Sequence, residues 1–258
     1  MNRKSGVLLH ISSLPGGYGI GDLGPSAYDF VNQLEVMKQS YWQILPTNDI
    51  NENFSPYDTT SAFAQNPMLI SLDLLLQNQL LLKHELNFDL NINSKKIDFA
   101  KIKSLKMPLI KRAAVRYLDK MKSNGSIEFD NFCKDNESWL NAFACFKVLK
   151  NKFEKLPWYE WEKKYRRFDQ KVYSKCNELF SKDIEIIKII QFFFSVQWSD
   201  LKSFSNDRGI KLVGDLPIYV SHDSADVWSN QNLFKLHENG KMVVKSGCPP
   251  DYFMDEGQ

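Results

Sequence analysis

Three short runs constrain the fold more than anything else in the chain: SGVLLHI (5–11), SYWQILP (40–46) and GIKLVGDLPIYV (209–220). Each is rich in β-branched or aromatic residues and apolar at successive positions. Strands of that kind have both faces covered, as in a parallel sheet. Between the first two runs, Pro25 suits the first turn of a helix, and Ala27, Phe30, Val31, Leu34 and Val36–Met37 form one apolar stripe. Parallel strands cannot be joined by a tight turn, and this strand–helix–strand order supplies the crossover they need. Ahead of the third run the spacing predicts a helix over 187–208. Ile190, Phe193, Phe194, Gln197–Trp198, Leu201 and Phe204–Ser205 mark its inner face, and Arg208–Gly209 close it. The order of elements is that of an α/β protein.

From about Leu74 to Ile186 the pattern changes to charged, Leu- and Phe-rich segments at helical spacing, such as LIKRAAVRYLDKMK and SWLNAFACFKVLKNKF, with breaks near 87–96 and 122–126. This stretch is expected to be a helical insertion. The expected organisation is therefore 1–73 for the first strands and loops, 74–186 for the insertion, and 187–258 for a further helix, strand and loop region. A closed (β/α)₈ barrel needs eight strands and typically about 250 residues. Three parallel strands alone leave an apolar sheet edge that soluble proteins avoid. The last residues, YFMDEGQ, carry no helix cap, so the chain is expected to stop before the sheet is closed.

Composition removes several classes of function. The 258 residues are 43% hydrophobic and 25% charged, and 33 basic against 31 acidic residues give a net charge of +2. That balance, with Lys and Arg scattered, argues against a nucleic-acid surface. The 18 Phe point to an aromatic core, while some of the 10 Tyr and 6 Trp could line a site for flat, apolar ligand faces. The apolar run behind Asn2–Lys4 is too short for a secretory signal. No run reaches a membrane span; the closest, IIKIIQFFFSVQW, is broken by Lys188 and Gln191. Cys133, Cys145, Cys176 and Cys248 are widely spaced, as expected of reduced thiols in a cytoplasmic protein without a zinc site.

Four stretches are candidates for chemistry. GIGDLG (19–24) is a literal G-x-G-x-x-G, the pattern that cradles a dinucleotide pyrophosphate. SSLPGGY separates it from the first strand, however, and the second strand ends in Pro-Thr-Asn rather than a ribose-binding acid, so a tight βα loop is the better reading. In NFSPYDTTSAFAQNP (53–67), Pro56 stiffens the backbone before Tyr57, which either packs on its own neighbours or forms a rigid platform beside a site. Asp215 interrupts an apolar run, where an unpaired carboxylate costs several kcal/mol. It is either satisfied by local N–H groups or stands at the C-terminal rim of a parallel sheet, where such folds carry their chemistry. Asp223 and Asp226 read as caps for a turn or short helix through DSADVW, with His222 able to pair with either. Four histidines without a ligand spacing speak against a metal. Finally, the Pro-Pro pair in SGCPPDYF (246–253) presents Asp251 and Tyr252 from a stiff loop.

Taken in order, SGVLLHISSLPGGYGIGDLGPSAYDFV, SYWQILP, SPYDTTSAFAQNPMLISLDLL, LPWYEWEKKYRRFD, QFFFSVQWSDLKSFSNDRGIKLVGDLPIYVSHDSADVW and SGCPPDYF…GQ resemble the front half of the 4-α-glucanotransferases of glycoside hydrolase family 77, the amylomaltases or disproportionating enzymes. The likeness is dense over 3–75 and 156–258 and loose across the helical stretch. It implies a partial (β/α)₈ TIM barrel of the α-amylase type with a helical insertion. It also implies transfer of α-1,4-glucan segments between maltooligosaccharides by a retaining double displacement, with no cofactor. The alternatives are a non-catalytic glucan-binding remnant and, on GIGDLG, a nucleotide-binding oxidoreductase.

By position, Asp215 matches the family's first characteristic aspartate and Tyr57 the tyrosine of its S-P-Y motif, both expected to hold the sugar beside the scissile bond. Asp251 and Gln258 match loop residues expected to fold over the bound glucan. All four are substrate-binding assignments. The family's nucleophile, acid/base and stabilising carboxylates match nothing here, so the chain alone is expected to be inactive. TNDINENF, where the family usually has a Gly-bearing loop, and MDEG, where it has a Ser-containing tetrad, depart from the pattern.

Overall fold

The computed structural model describes residues 3–87, 96–244, 247, 249, 250 and 252. The chain is α/β, with a small parallel sheet and a helical majority. Strand β1 (Gly6–Leu8) leads to helix α1 (Pro25–Val36), then β2 (Tyr41–Gln43), α2 (Leu72–Gln77), α3 (Phe99–Asn124), α4 (Ile127–Asp135), α5 (Glu137–Lys152), α6 (Gln170–Asp207), β3 (Lys211–Val213) and α7 (Ala225–Ser229).

The sheet runs β1-β2-β3, all parallel, with Leu8, Gln43 and Val213 in register. The strand–helix–strand order of the first runs is thus observed, but each strand is shorter than its apolar run. The third departs most: beyond Val213, Leu216, Ile218 and Tyr219 are 78%, 89% and 65% exposed. Both expected faces of the sheet are not covered either. Trp42 and Ile44 are buried, and Val7, Leu9 and Leu212 pack beside them against α1, α3 and α6. On the other face Leu8 is 58% and Val213 39% exposed. Near-continuous apolarity therefore reflects one face buried by helices and a second face that helices do not cover among the described residues.

Two local contacts tighten the β1–β2 pair. A Cβ on Gly6 would lie 2.5 Å from the Tyr41 carbonyl oxygen, so only glycine allows this approach. Trp42 donates its Nε1–H to Leu9 O at 2.7 Å and meets the Phe30 ring edge-to-face at 5.0 Å. In α1 the stripe is real at Ala27, Val31 and Leu34, but Val36 and Met37 are exposed because the helix ends there. The last long helix extends well upstream of its expected start, over Gln170–Asp207, with a break in helical geometry at Phe180.

The core has two parts. One joins the covered sheet face to α1, α3 and α6. The other gathers Phe143, Phe146, Trp158, Trp161 and Trp228 from α5, the 153–165 segment and α7. Between α1 and α3 lies a buried ion pair: Lys106 Nζ donates to Asp22 Oδ2 at 2.9 Å and to Met68 O at 2.8 Å. That pair settles the glycine-rich motif. Asp22 Oδ1 accepts the Gly24 N–H, so a carboxylate of the loop itself sits at the N-terminus of α1, where a phosphate would have to bind. A Cβ on Gly21 would strike Ile11 O at 2.1 Å. GIGDLG is a packing loop, and the nucleotide reading falls with it. Among the described residues, no helix is long and apolar enough to cross a membrane.

Candidate functional site

The site is built where β2 and β3 end. The ladder runs one step past the strands, with Leu9 N–H to Gln43 O at 2.9 Å and Ile44 N–H to Val213 O at 3.0 Å. Side chains alternate between faces along a strand, so two residues beyond Leu8, Gln43 and Val213 the next layer on the uncovered face comprises His10, Leu45 and Asp215. This layer is the C-terminal rim of the parallel sheet.

Asp215 is partnered on both oxygens. Oδ1 accepts the Leu216 N–H at 2.8 Å, and Oδ2 accepts the Tyr57 hydroxyl at 2.8 Å. Local satisfaction and a rim position are therefore both true of it. Tyr57 is 49% exposed. Its hydrogen bond to Asp215, then burial, raise the phenol's pKa above the ordinary value, because ionisation would lose the donor and place two negative charges together. The arrangement offers a carboxylate beside an open aromatic face, a combination that can accept from a ligand hydroxyl while a ring stacks on the tyrosine.

The loop carrying Tyr57 is a small antiparallel excursion after β2, bridged at Asn48–Gln65 and Ile50–Thr59. Asn51 and Asn53 both donate to the Asp58 carboxylate at 2.6 Å, closing the turn around SPYD. At the loop's base, Gln191 of α6 exchanges two hydrogen bonds with the Gln65 backbone, at 2.7 and 2.9 Å. On one arm, Asp49 accepts from Thr60 Oγ1 and from Lys147 Nζ of α5, the latter at 2.9 Å. Beside Asp215 a cavity of about 270 Å³ opens towards the helices, with Phe63, Trp139 and Trp198 among its walls. Phe63 lies parallel to Trp139 at 6.2 Å.

Other expected residues have different roles. Ser224, not an aspartate, caps α7, accepting the Val227 N–H at 3.3 Å. Asp223 binds Lys150 Nζ at 2.5 Å and the Trp158 N–H at 3.1 Å, while Asp226 crosses to the Tyr57 loop and accepts the Ala62 N–H at 2.9 Å. The capping reading fails because both carboxylates find longer-range donors. His222 pairs with neither; its Nε2 meets Gly240 O at 2.8 Å and its ring stacks on Tyr159 at 4.5 Å. Asp251 and Gln258 lie outside the described residues.

His10 was not singled out by its residue type, yet period-two alternation along VLLHI places it on the Asp215 layer. Burial lowers its pKa to about 4, so the imidazole is neutral near pH 7. The Asp226–Ala62 bond left no trace in the sequence, since Asp226 is spaced as a helix-start acid.

Comparison with known proteins adds a second line of argument. The family model described as 4-alpha-glucanotransferase, of glycoside hydrolase family 77, matches residues 9–258. A curated 4-alpha-glucanotransferase of Streptococcus pneumoniae is 42% identical over 259 residues, which is 99% of this chain and 50% of the relative. One of Clostridium butyricum is 39% identical over 254 residues, or 97% of this chain and 51% of the relative. Among solved structures, an amylomaltase from Streptococcus agalactiae in complex with acarbose superposes with a TM-score of 0.93 at 36% identity, covering 100% of this chain and 52% of that one. The chain spans about half the length of the curated relatives it matches.

Proposed function

Because the chain belongs to the 4-alpha-glucanotransferase family, we propose that it supplies the glucan-holding half of an enzyme that moves α-1,4-glucan segments between maltooligosaccharides. The observation that carries this reading is the Tyr57–Asp215 hydrogen bond of 2.8 Å, formed between the loops that follow two adjacent parallel strands. A glucosyl ring would lie on the exposed Tyr57 face, and its hydroxyls would share the Asp215 carboxylate. Sugar recognition combines such stacking with charge-assisted hydrogen bonds. Asp251 and Gln258 would close over the bound glucan from the last loop, and Phe63 and Trp139 would wall the approach.

The transfer would retain anomeric configuration, with one carboxylate as nucleophile and a second protonating the leaving oxygen. Neither role is given to a residue of this chain. The whole protein would be a (β/α)₈ barrel of the α-amylase type, with 1–73 and 187–258 contributing barrel strands and 74–186 inserted between them. The uncovered sheet face supports this, since Leu8 and Val213 stand where the inner layers of a barrel would pack. No cofactor enters the scheme. The compartment would be the cytoplasm, which suits the free thiols of Cys133, Cys145 and Cys176.

Incubating the 258-residue chain with maltotriose tests the division of labour. The expected outcome is no transfer; glucose together with longer chains would contradict it.

A further inference from the structure

Helix α7 follows β3 by a short excursion and is anchored deep in the second core. Ala225, Val227 and Trp228 are 3%, 2% and 0% exposed, and Trp228 donates its Nε1–H to Tyr165 O at 2.8 Å. Between these buried positions, Asp226 faces the other way, towards the loop after β2. It accepts the Ala62 N–H at 2.9 Å and is also bonded by the Ser61 side chain. One residue earlier, the Ala225 N–H donates to Thr60 O at 2.9 Å. Three successive loop residues, Thr60, Ser61 and Ala62, are thus gripped by the first turn of one short helix.

The position of this grip matters. The Gln191 bonds hold the loop's base at Gln65, and the Lys147 bond holds Asp49 on the far arm. Of these three ties among the described residues, the one from α7 comes from the segment that also carries Asp215. Leu216 and Ile218, between Asp215 and α7, are largely exposed, so that stretch has little packing of its own to orient the carboxylate. The relation of Tyr57 to Asp215 then depends on how the two loops are tied together.

We propose that Asp226 is a positioning residue: by accepting the Ala62 N–H and bonding Ser61, it docks the loop that carries Tyr57 onto α7 and so holds Tyr57 against Asp215. Its value for glucan binding rests on the function proposed above, but the docking itself does not. Burial makes the carboxylate a costly group to keep here, and capping does not account for it, since Ser224 already caps the helix.

The test follows the Tyr57 phenol by NMR in chain labelled at tyrosine Cζ, the signal being assigned with Tyr57→Phe. In Asp226→Ala the Tyr57 titration should fall towards that of an ordinary exposed tyrosine, because the Asp215 contact loosens. In Asp226→Asn, which keeps an oxygen for Ala62, it should stay near the parent value. A control, Leu118→Ala in α3, weakens the other core and should leave Tyr57 unmoved. Should Asp226→Ala fail to fold, Asp226→Ser, one bond too short to reach Ala62, makes the same comparison. A Tyr57 titration unchanged in folded Asp226→Ala or Asp226→Ser overturns the proposal. Maltoheptaose titration separates this from the functional reading: affinity should drop about tenfold in Asp226→Ala as Tyr57 leaves Asp215. A shifted Tyr57 in a chain that never binds maltoheptaose would leave the docking role standing and sink the glucan reading.

Discussion

Asp215 shows how one residue can carry two readings at once. Its carboxylate takes a local N–H from Leu216, as any strand-end aspartate would, and its second oxygen reaches Tyr57 across the sheet rim. His10 stands in the same layer, and its chemistry gives the acid response of the fold a definite sign. Its pKa falls from an ordinary 6.5 to about 4 on burial, so the unfolded chain binds a proton in that window while the folded chain does not. The part of the stability that His10 governs is therefore full above about pH 6.5 and declines as pH falls towards 4. Glu85 acts lower: hydrogen bonds from Arg116 hold its pKa near 2, so its contribution is lost between its ordinary 4.5 and about 2. Urea denaturation midpoints for His10→Asn should lose the decline between pH 6.5 and 4 while keeping the lower one. An unaltered decline would contradict the burial argument.

Elements were legible in the sequence where period and buried face coincide. The stripe of α1 and the inner face of α6 were readable because helices expose one face and bury the other. The third strand was overextended because apolarity continues past Val213, through residues that the sheet does not bury. The start of α6 was missed because its first turns are polar and mixed, and Asp169, which caps it through the Val172 N–H, resembles any loop acid. Tyr57 and Asp215 were legible as two separate positions, from Pro56 before the tyrosine and from a carboxylate inside an apolar run, and the family likeness supplied the role they would share. The docking of α7 was not, since a carboxylate at a helix start has the same sequence signature whether it caps or crosses. Helix α3 contains one local conflict, Pro108, exposed inside Phe99–Asn124. A proline there removes one helical hydrogen bond and crowds the preceding turn, though it also restricts the unfolded chain. Pro108→Ala should raise stability by about 1–2 kcal/mol, read as a higher thermal midpoint; a lower midpoint would mean that the helix needs the bend.

At the scale of the molecule, one half of the picture is a packed shell of helices and the other is a sheet with an open face. Helices cover Trp42 and Ile44, while Leu8, Val213, Leu216 and Ile218 meet solvent. Leu8 and Val213 belong to the sheet face that helices leave open among the described residues, and at the rim beyond them Tyr57 meets Asp215. The central claim is that this pair holds an α-1,4-glucan, and calorimetric titration of the chain with maltoheptaose tests it most directly. The parent should bind saturably. Tyr57→Ala and Asp215→Ala should each weaken binding about tenfold, and the double variant little more than either, because coupled partners are not additive. Equal binding by all four proteins, or none by the parent, would contradict it.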